Sequence, residues 1–208
     1  MNENQAQIKT RTRFTTNYMA KVAILGALAR IVMFLEFPLP IFPAFLKMDF
    51  SDLIVLLGAL AMGPVAGVLI EFVKCFIHFF ASTTAGIGDL ANFIVGGSYA
   101  AVVGIFYQRH KSKKGAVTGM LIGVLAMIVS GALVNYFITI PLYARFMGWS
   151  TEMVVGMGTK ITPLIQDKAT LILFAFCPFN LMKGTIITLI ALPLYKKVSP
   201  LLKKGLLA

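Results

Sequence analysis

Four polar side chains interrupt long apolar stretches of this 208-residue chain: Asn92, Asn135, Asn180 and Lys183. Asn180 and Lys183 are spaced i, i+3, which puts them on one face wherever the segment is helical. Taken singly, an asparagine in an apolar helix serves a bond to a neighbouring helix as readily as a ligand, and such bonds stabilise only modestly. The lysine is more demanding, because an ammonium away from water needs a carboxylate, carbonyl dipoles or a ligand oxygen beside it. Taken together, the four suit the binding of a small polar solute.

A second cluster reads differently. Glu71, Lys74, Cys75 and His78 fall at i, i+3, i+4 and i+7 on one helical face. Glu71, Cys75 and His78 could be imagined around zinc, but Lys74 stands among them and opposes the charge of a metal. Neither H-E-x-x-H nor a paired C-x-x-C is present, so no metal site is expected; an intrahelical Glu71–Lys74 pair is. Glu71 and His78 do not supply the nucleophile, base and orienting group of an intramembrane enzyme, and no catalytic residue is assigned. There is no G-x-x-x-x-G-K-[ST] loop of the kind that cradles nucleotide phosphates. Arg30 lacks a partner in its own segment, and Glu71 is the candidate. Cys75 and Cys177 both lie in apolar stretches, which argues against a disulfide.

The elements that must position these residues are membrane helices. Apolar residues make up 58% of the chain and charged ones 13%, against about half and a quarter in soluble domains. A spanning helix needs about 20 mostly apolar residues. Five stretches meet that need: Met19–Phe37, Leu53–Phe80, Leu90–Tyr107, Ala116–Tyr143 and Leu171–Tyr195. The first lacks a cleavage site before the next element and reads as a retained helix. The formal charge of +11 would suggest nucleic acid in a soluble protein, but here the basic residues gather in short connections, as a topology signal does.

Gly63-Pro64 divides the second stretch, either as a kink or as a turn between two helices. Lys and Arg favour cytoplasmic flanks. Lys9, Arg11, Arg13 and Lys21, then Arg109, Lys111, Lys113 and Lys114, then Lys196, Lys197, Lys203 and Lys204 share one side only if the chain reverses there. The expected fold is therefore an all-α integral membrane bundle of six transmembrane helices with both termini cytoplasmic. A tail over 1–18, a membrane domain over 19–195 and a basic tail over 196–208 follow. Leu53–Met62 is about 15 Å of helix, so that span must extend upstream, tilt or stop short. The last outer connection, Ala144–Lys168, is long enough to carry structure of its own, and its Trp149 suits an interfacial anchor.

With that topology, Asn92 lies at the outer start of the fourth span, Asn135 about 12 Å below the outer end of the fifth, and Asn180 and Lys183 about 14–18 Å into the sixth. Above them runs Phe37–Asp52, with three prolines, four phenylalanines and a Lys47/Asp49 pair, built like a lid. Gly86-Ile87-Gly88-Asp89 brings a carboxylate beside Asn92. In the first span Ala23-x-x-x-Ala27 would let another helix approach closely, within the bundle or outside it.

Phe37-Pro38-Leu39-Pro40-Ile41-Phe42-Pro43, Leu46-Lys47-Met48-Asp49-Phe50-Ser51-Asp52 and Gly63-Pro64 resemble the riboflavin-specific S component of bacterial energy-coupling factor transporters. Gly88-x-x-Ala91-Asn92-Phe93, Asn135-Tyr136, Pro141-Leu142-Tyr143 and Pro178-Phe179-Asn180-Leu181-x-Lys183-Gly184 extend the likeness over about Ala20 to Pro200. The resemblance implies a multi-pass protein of the bacterial cell membrane that binds riboflavin as transported substrate, without a resident cofactor. It implies work with a transmembrane coupling protein and two cytoplasmic ATPases, and no nucleic acid partner. It makes Lys47, Asp49, Asn92, Asn135, Asn180 and Lys183 ligand contacts, and Ala23 and Ala27 a docking surface for the coupling protein. Asparagine amides both donate and accept, so they can pair with the uracil-like edge of a flavin, and a lysine can donate to its carbonyl. A different vitamin, or a carrier that works alone, are the alternatives within transport.

Overall fold

The computed structural model describes residues 15–203, so Lys9, Arg11, Arg13 and Lys204 of the basic clusters lie outside the described residues. Helix α1 (Thr16–Met33) starts three residues earlier than hydropathy suggests, because the Thr15 hydroxyl accepts from the Tyr18 amide and caps it. A two-residue ribbon follows, β1 (Phe37–Pro38) antiparallel to β2 (Lys47–Met48), and folds the proline-rich loop back on itself.

Helices α2 (Ser51–Met62) and α3 (Pro64–Phe79) are separated by Gly63 alone. Gly63 has φ 104°, which glycine alone takes without strain, and Pro64 starts α3 where no amide hydrogen is required. The Gly-Pro break is thus two helices packed as a hairpin, close enough that a Cβ on Gly67 would lie 2.7 Å from that of Ala59. The helix α2 stays short, about 18 Å for its 12 residues. Asp49 sets its upstream limit by accepting from both the amide and the hydroxyl of Ser51.

Helices α4 (Ile87–Arg109) and α5 (Lys113–Val134) form a second hairpin, closed by Ser112, whose hydroxyl accepts from the Gly115 amide. The rod of α5 runs on through a π-turn (Asn135–Thr139) into α6 (Ile140–Phe146). In the long connection Ala144–Lys168 lies α7 (Thr151–Thr159), so that stretch carries structure of its own. The last rod is α8 (Lys168–Leu171), a π-turn (Ile172–Phe176) and α9 (Cys177–Lys203), which continues eight residues past Tyr195. Pro141 and Pro178 stand just after the two π-turns. Each removes a donor and crowds the preceding turn, and the backbone widens to i→i+5 bonds, Ile140 to Asn135 and Cys177 to Ile172.

Thr16–Met33, Ile87–Arg109, Lys113–Phe146 and Lys168–Val198 are long and apolar enough to cross a bilayer. Leu121, Leu125, Val129 and Leu133, four residues apart along α5, are all exposed, a stripe that suits lipid contact. Buried Leu56, Val95, Val103, Met120 and Ile187 hold α2, α4, α5 and α9 together along one seam. At one end of the bundle, here the turn end, a Cβ on Gly63 would sit 2.2 Å from Gln108 Nε2. There too the Tyr107 and Tyr195 rings are 6.0 Å apart, and Lys21 Nζ donates to the Leu202 carbonyl at 2.8 Å. The loops that carry β1, β2 and α7 meet at the other, cavity end.

Candidate functional site

The cavity end opens into a pocket whose empty space, with the open solvent at its mouth, is about 880 Å³. Lys47 reaches it from β2, Asp49 from the turn after β2, Asn92 from α4, Asn135 from the first π-turn, and Asn180 and Lys183 from α9. All six residues singled out in the sequence line this one pocket. Ala23 and Ala27 do not; they are exposed on the outer side of α1, while Gly26 and Ala29 face the bundle. Gly26 lies so close to α3 that a Cβ there would meet Val73 at 2.5 Å.

The pocket roof is aromatic. Phe42 meets Phe179 edge-on at 5.3 Å and Phe45 lies 5.7 Å from Phe176, so the proline-rich loop is clamped to α9 and its π-turn. Phe45, Leu46, Val95, Met127, Phe176 and Phe179 give the pocket apolar walls suited to a flat ring. Trp149 packs against Tyr143 at 5.3 Å, tying the α6–α7 corner to the same cluster.

Below the roof runs a buried chain of charge that local spacing could not reveal. Lys183 Nζ lies 2.8 Å from both Asp49 Oδ2 and Asp52 Oδ2. Asp52 Oδ1 in turn meets Lys74 Nζ at 2.6 Å, and Lys74 meets Glu71 at 2.7 Å, the expected i, i+3 pair. The chain joins the first loop, α2, α3 and α9. Lys183 has three donors and gives one to Asp49 Oδ2, while Asp52 stands beside it as an ion pair, which leaves donor capacity for a solute. Burial pulls the Asp49 carboxyl upward, but the ammonium groups of Lys183 and Lys74 outweigh it and hold the group below its ordinary value.

Glu71 is therefore committed to Lys74, and the suggested pairing with Arg30 is corrected. The Arg30 guanidinium lies over the Phe34 ring at 3.9 Å, and it forms no ion pair among the described residues. Glu71 faces Gly96 of α4 instead, where a Cβ would come within 2.6 Å of its Oε1. His78 belongs to another group, bonded to Asp89 rather than to Glu71.

The pocket mouth adds three residues that the sequence reading passed over, Glu36, Ser82 and Thr84. Glu36 takes Lys47 at 2.5 Å, and His78 bridges toward Glu36 while bonded to Asp89. Ser82 and Thr84 accept from the Gly86 and Gly88 amides, each at 3.1 Å, and so occupy donors at the start of α4. The signal available was a run of carboxylates and hydroxyls at helix ends, without periodicity to mark it. Deeper in, Asn135 Nδ2 donates to the Gly131 carbonyl at 2.7 Å and keeps its oxygen free. Gly131 also makes room for Asn180, whose Nδ2 would lie 2.3 Å from a Cβ at that position.

Comparison with known proteins agrees with this geometry. The family "ECF transporter, substrate-specific component" matches residues 17–195. The Riboflavin transporter RibU of Staphylococcus aureus (strain TCH60) is 30% identical over 183 residues, 88% of this chain and 90% of that protein. The Riboflavin transporter FmnP of Bacillus subtilis (strain 168) is 30% identical over 184 residues, 86% of this chain and 90% of its own length. A solved S component of a bacterial ECF transporter superposes with TM-score 0.69 at 29% identity, covering 90% of this chain and 98% of that one. With bilayer-length rods, a clamped loop and a solute-sized pocket at one end, the chain belongs to the substrate-specific components of ECF transporters, as a multi-pass membrane protein.

Proposed function

We propose that the protein is the riboflavin-binding subunit of an ECF transporter and takes up the vitamin through the pocket at its cavity end. The observation that carries this reading is the convergence of Lys47, Asp49, Asn92, Asn135, Asn180 and Lys183 on one apolar-walled pocket. Riboflavin transporters that align over most of the chain support the choice of solute. In this reading the isoalloxazine ring lies between the Phe, Val and Met walls, and the amides and the spare Lys183 donor pair with its carbonyls and N–H. Each such polar group left unpaired would cost about 1–3 kcal/mol, which makes them the source of selectivity.

The pocket faces outward and both termini face the cytoplasm, with α2 and α3 completing six spans. Support comes from the basic residues of the α4–α5 turn and the α9 end, which share the turn end with the α2–α3 turn. A coupling protein docks on the exposed small residues Ala23 and Ala27, and two ATPases supply energy through it. Reorientation of the bundle then releases the vitamin inside.

The test is quenching of flavin fluorescence by purified protein in detergent. Wild type should titrate tightly, and Asn180→Ala with Lys183→Ala should abolish binding; unchanged affinity would refute the site. Ala23→Leu with Ala27→Leu should spare binding yet block cellular uptake, and normal uptake would remove the docking role.

A further inference from the structure

A second pocket lies at the turn end, where α4, α5 and α9 meet. Tyr107, Lys111, Ser112, Lys113, Tyr195 and Lys196 line it, with Pro200 at its edge. No carboxylate lines it. The described carboxylates, from Glu36 to Asp167, all stand at the cavity end or at mid-bundle. Among the described residues Lys111, Lys113 and Lys196 form no ion pair.

Helix chemistry sharpens the point. Lys113 and Lys114 occupy the first turn of α5, where the amide dipoles already make the helix end positive and no acidic residue offsets them. Ser112 satisfies one amide there, at Gly115. Like charges gathered on a positive helix end destabilise it unless an anion sits among them. The floor of the pocket is the edge-on pair Tyr107 and Tyr195, residues that favour the boundary between water and lipid.

We propose that this pocket binds the phosphate of an anionic phospholipid headgroup. Lipid fits better than free phosphate because apolar Ile105 of α4 and Leu121 and Ile122 of α5 are exposed nearby on the rods, where the acyl chains of a docked lipid can run. Basic pockets between helix ends hold such headgroups by charge and shape together.

Native mass spectrometry of the full chain in detergent tests this, with phosphatidylglycerol and phosphatidylcholine of the same acyl chains as probes. Phosphatidylglycerol should be retained about tenfold more strongly. The triple variant Lys111→Gln, Lys113→Gln, Lys196→Gln should bring the two within about twofold, while Lys160→Gln, on the opposite end, leaves the preference intact. Riboflavin binding by the same samples reports that each variant is folded. Equal retention of the two lipids by wild type, or an unchanged preference in the triple variant, overturns the proposal. Displacement of phosphatidylglycerol by low-millimolar inorganic phosphate assigns the pocket to a free anion and overturns it as well.

Discussion

At the cavity end the pocket-lining lysines have carboxylate partners, Lys47 with Glu36 and Lys183 with Asp49 and Asp52. At the turn end Lys111, Lys113 and Lys196 line a pocket with no carboxylate. The same residue type thus does two jobs, and the position of the acids decides which. Where carboxylates surround it, a lysine is held in place and its charge is offset, which suits a neutral solute. Where they are missing, it keeps its full charge for an anion. Positive charge alone would not have separated the two ends.

The sharpest way to break this contrast is to leave the acids of the buried chain without their cation. Lys74→Met should destabilise the fold by about 3–5 kcal/mol, because Asp52 and Glu71 would stay buried without it. Loss of thermal stability in detergent measures this; a stable variant would mean that the chain is not ionised as drawn.

Next in size is discrimination by charge at the mouth. Riboflavin phosphate should bind at least about tenfold more weakly than riboflavin, since a phosphate placed near Glu36 and Asp89 meets like charges and no unpaired lysine. Glu36→Gln releases Lys47 and should narrow that gap in competitive titration. If both flavins bind equally to wild type, the pairing of the lysines does not govern selectivity.

Gly131→Ala should lower riboflavin affinity by about tenfold with little change in melting temperature, since the new Cβ displaces the Asn180 amide rather than a core side chain. An unchanged affinity would exclude Asn180 from the binding set. Smallest is Tyr99→Phe, which removes a 2.8 Å bond to Thr188 on the packing seam, away from both pockets. It should cost about 1 kcal/mol of stability and leave flavin affinity unchanged.

What the sequence revealed depended on the range of the physics involved. The Gly63-Pro64 break was legible because proline chemistry acts within one turn, and the shortness of α2 followed from counting. Depth along the helices placed Asn92, Asn135, Asn180 and Lys183 between one end of the bundle and its middle, and a single pocket joins them. The partners of Lys183 were not legible, since Asp49 stands 134 positions away in the chain. Arg30 misled because a lone cation suggests a carboxylate, whereas a ring one turn along satisfies it in part. The β1–β2 ribbon escaped notice because two residues per strand leave no alternation to read.

The two π-turns carry a further consequence. Each inserts one residue beyond the ordinary helical count, advancing everything after it by about 100° around the rod axis. In the last rod, Leu171 and Ile172 before the turn pack into the same buried cluster as Phe176 and Phe179. The extra residue in the Ile172–Phe176 turn therefore fixes the direction in which Asn180 and Lys183 leave the last rod relative to Lys168–Leu171, and a one-residue deletion there would swing them about the rod axis.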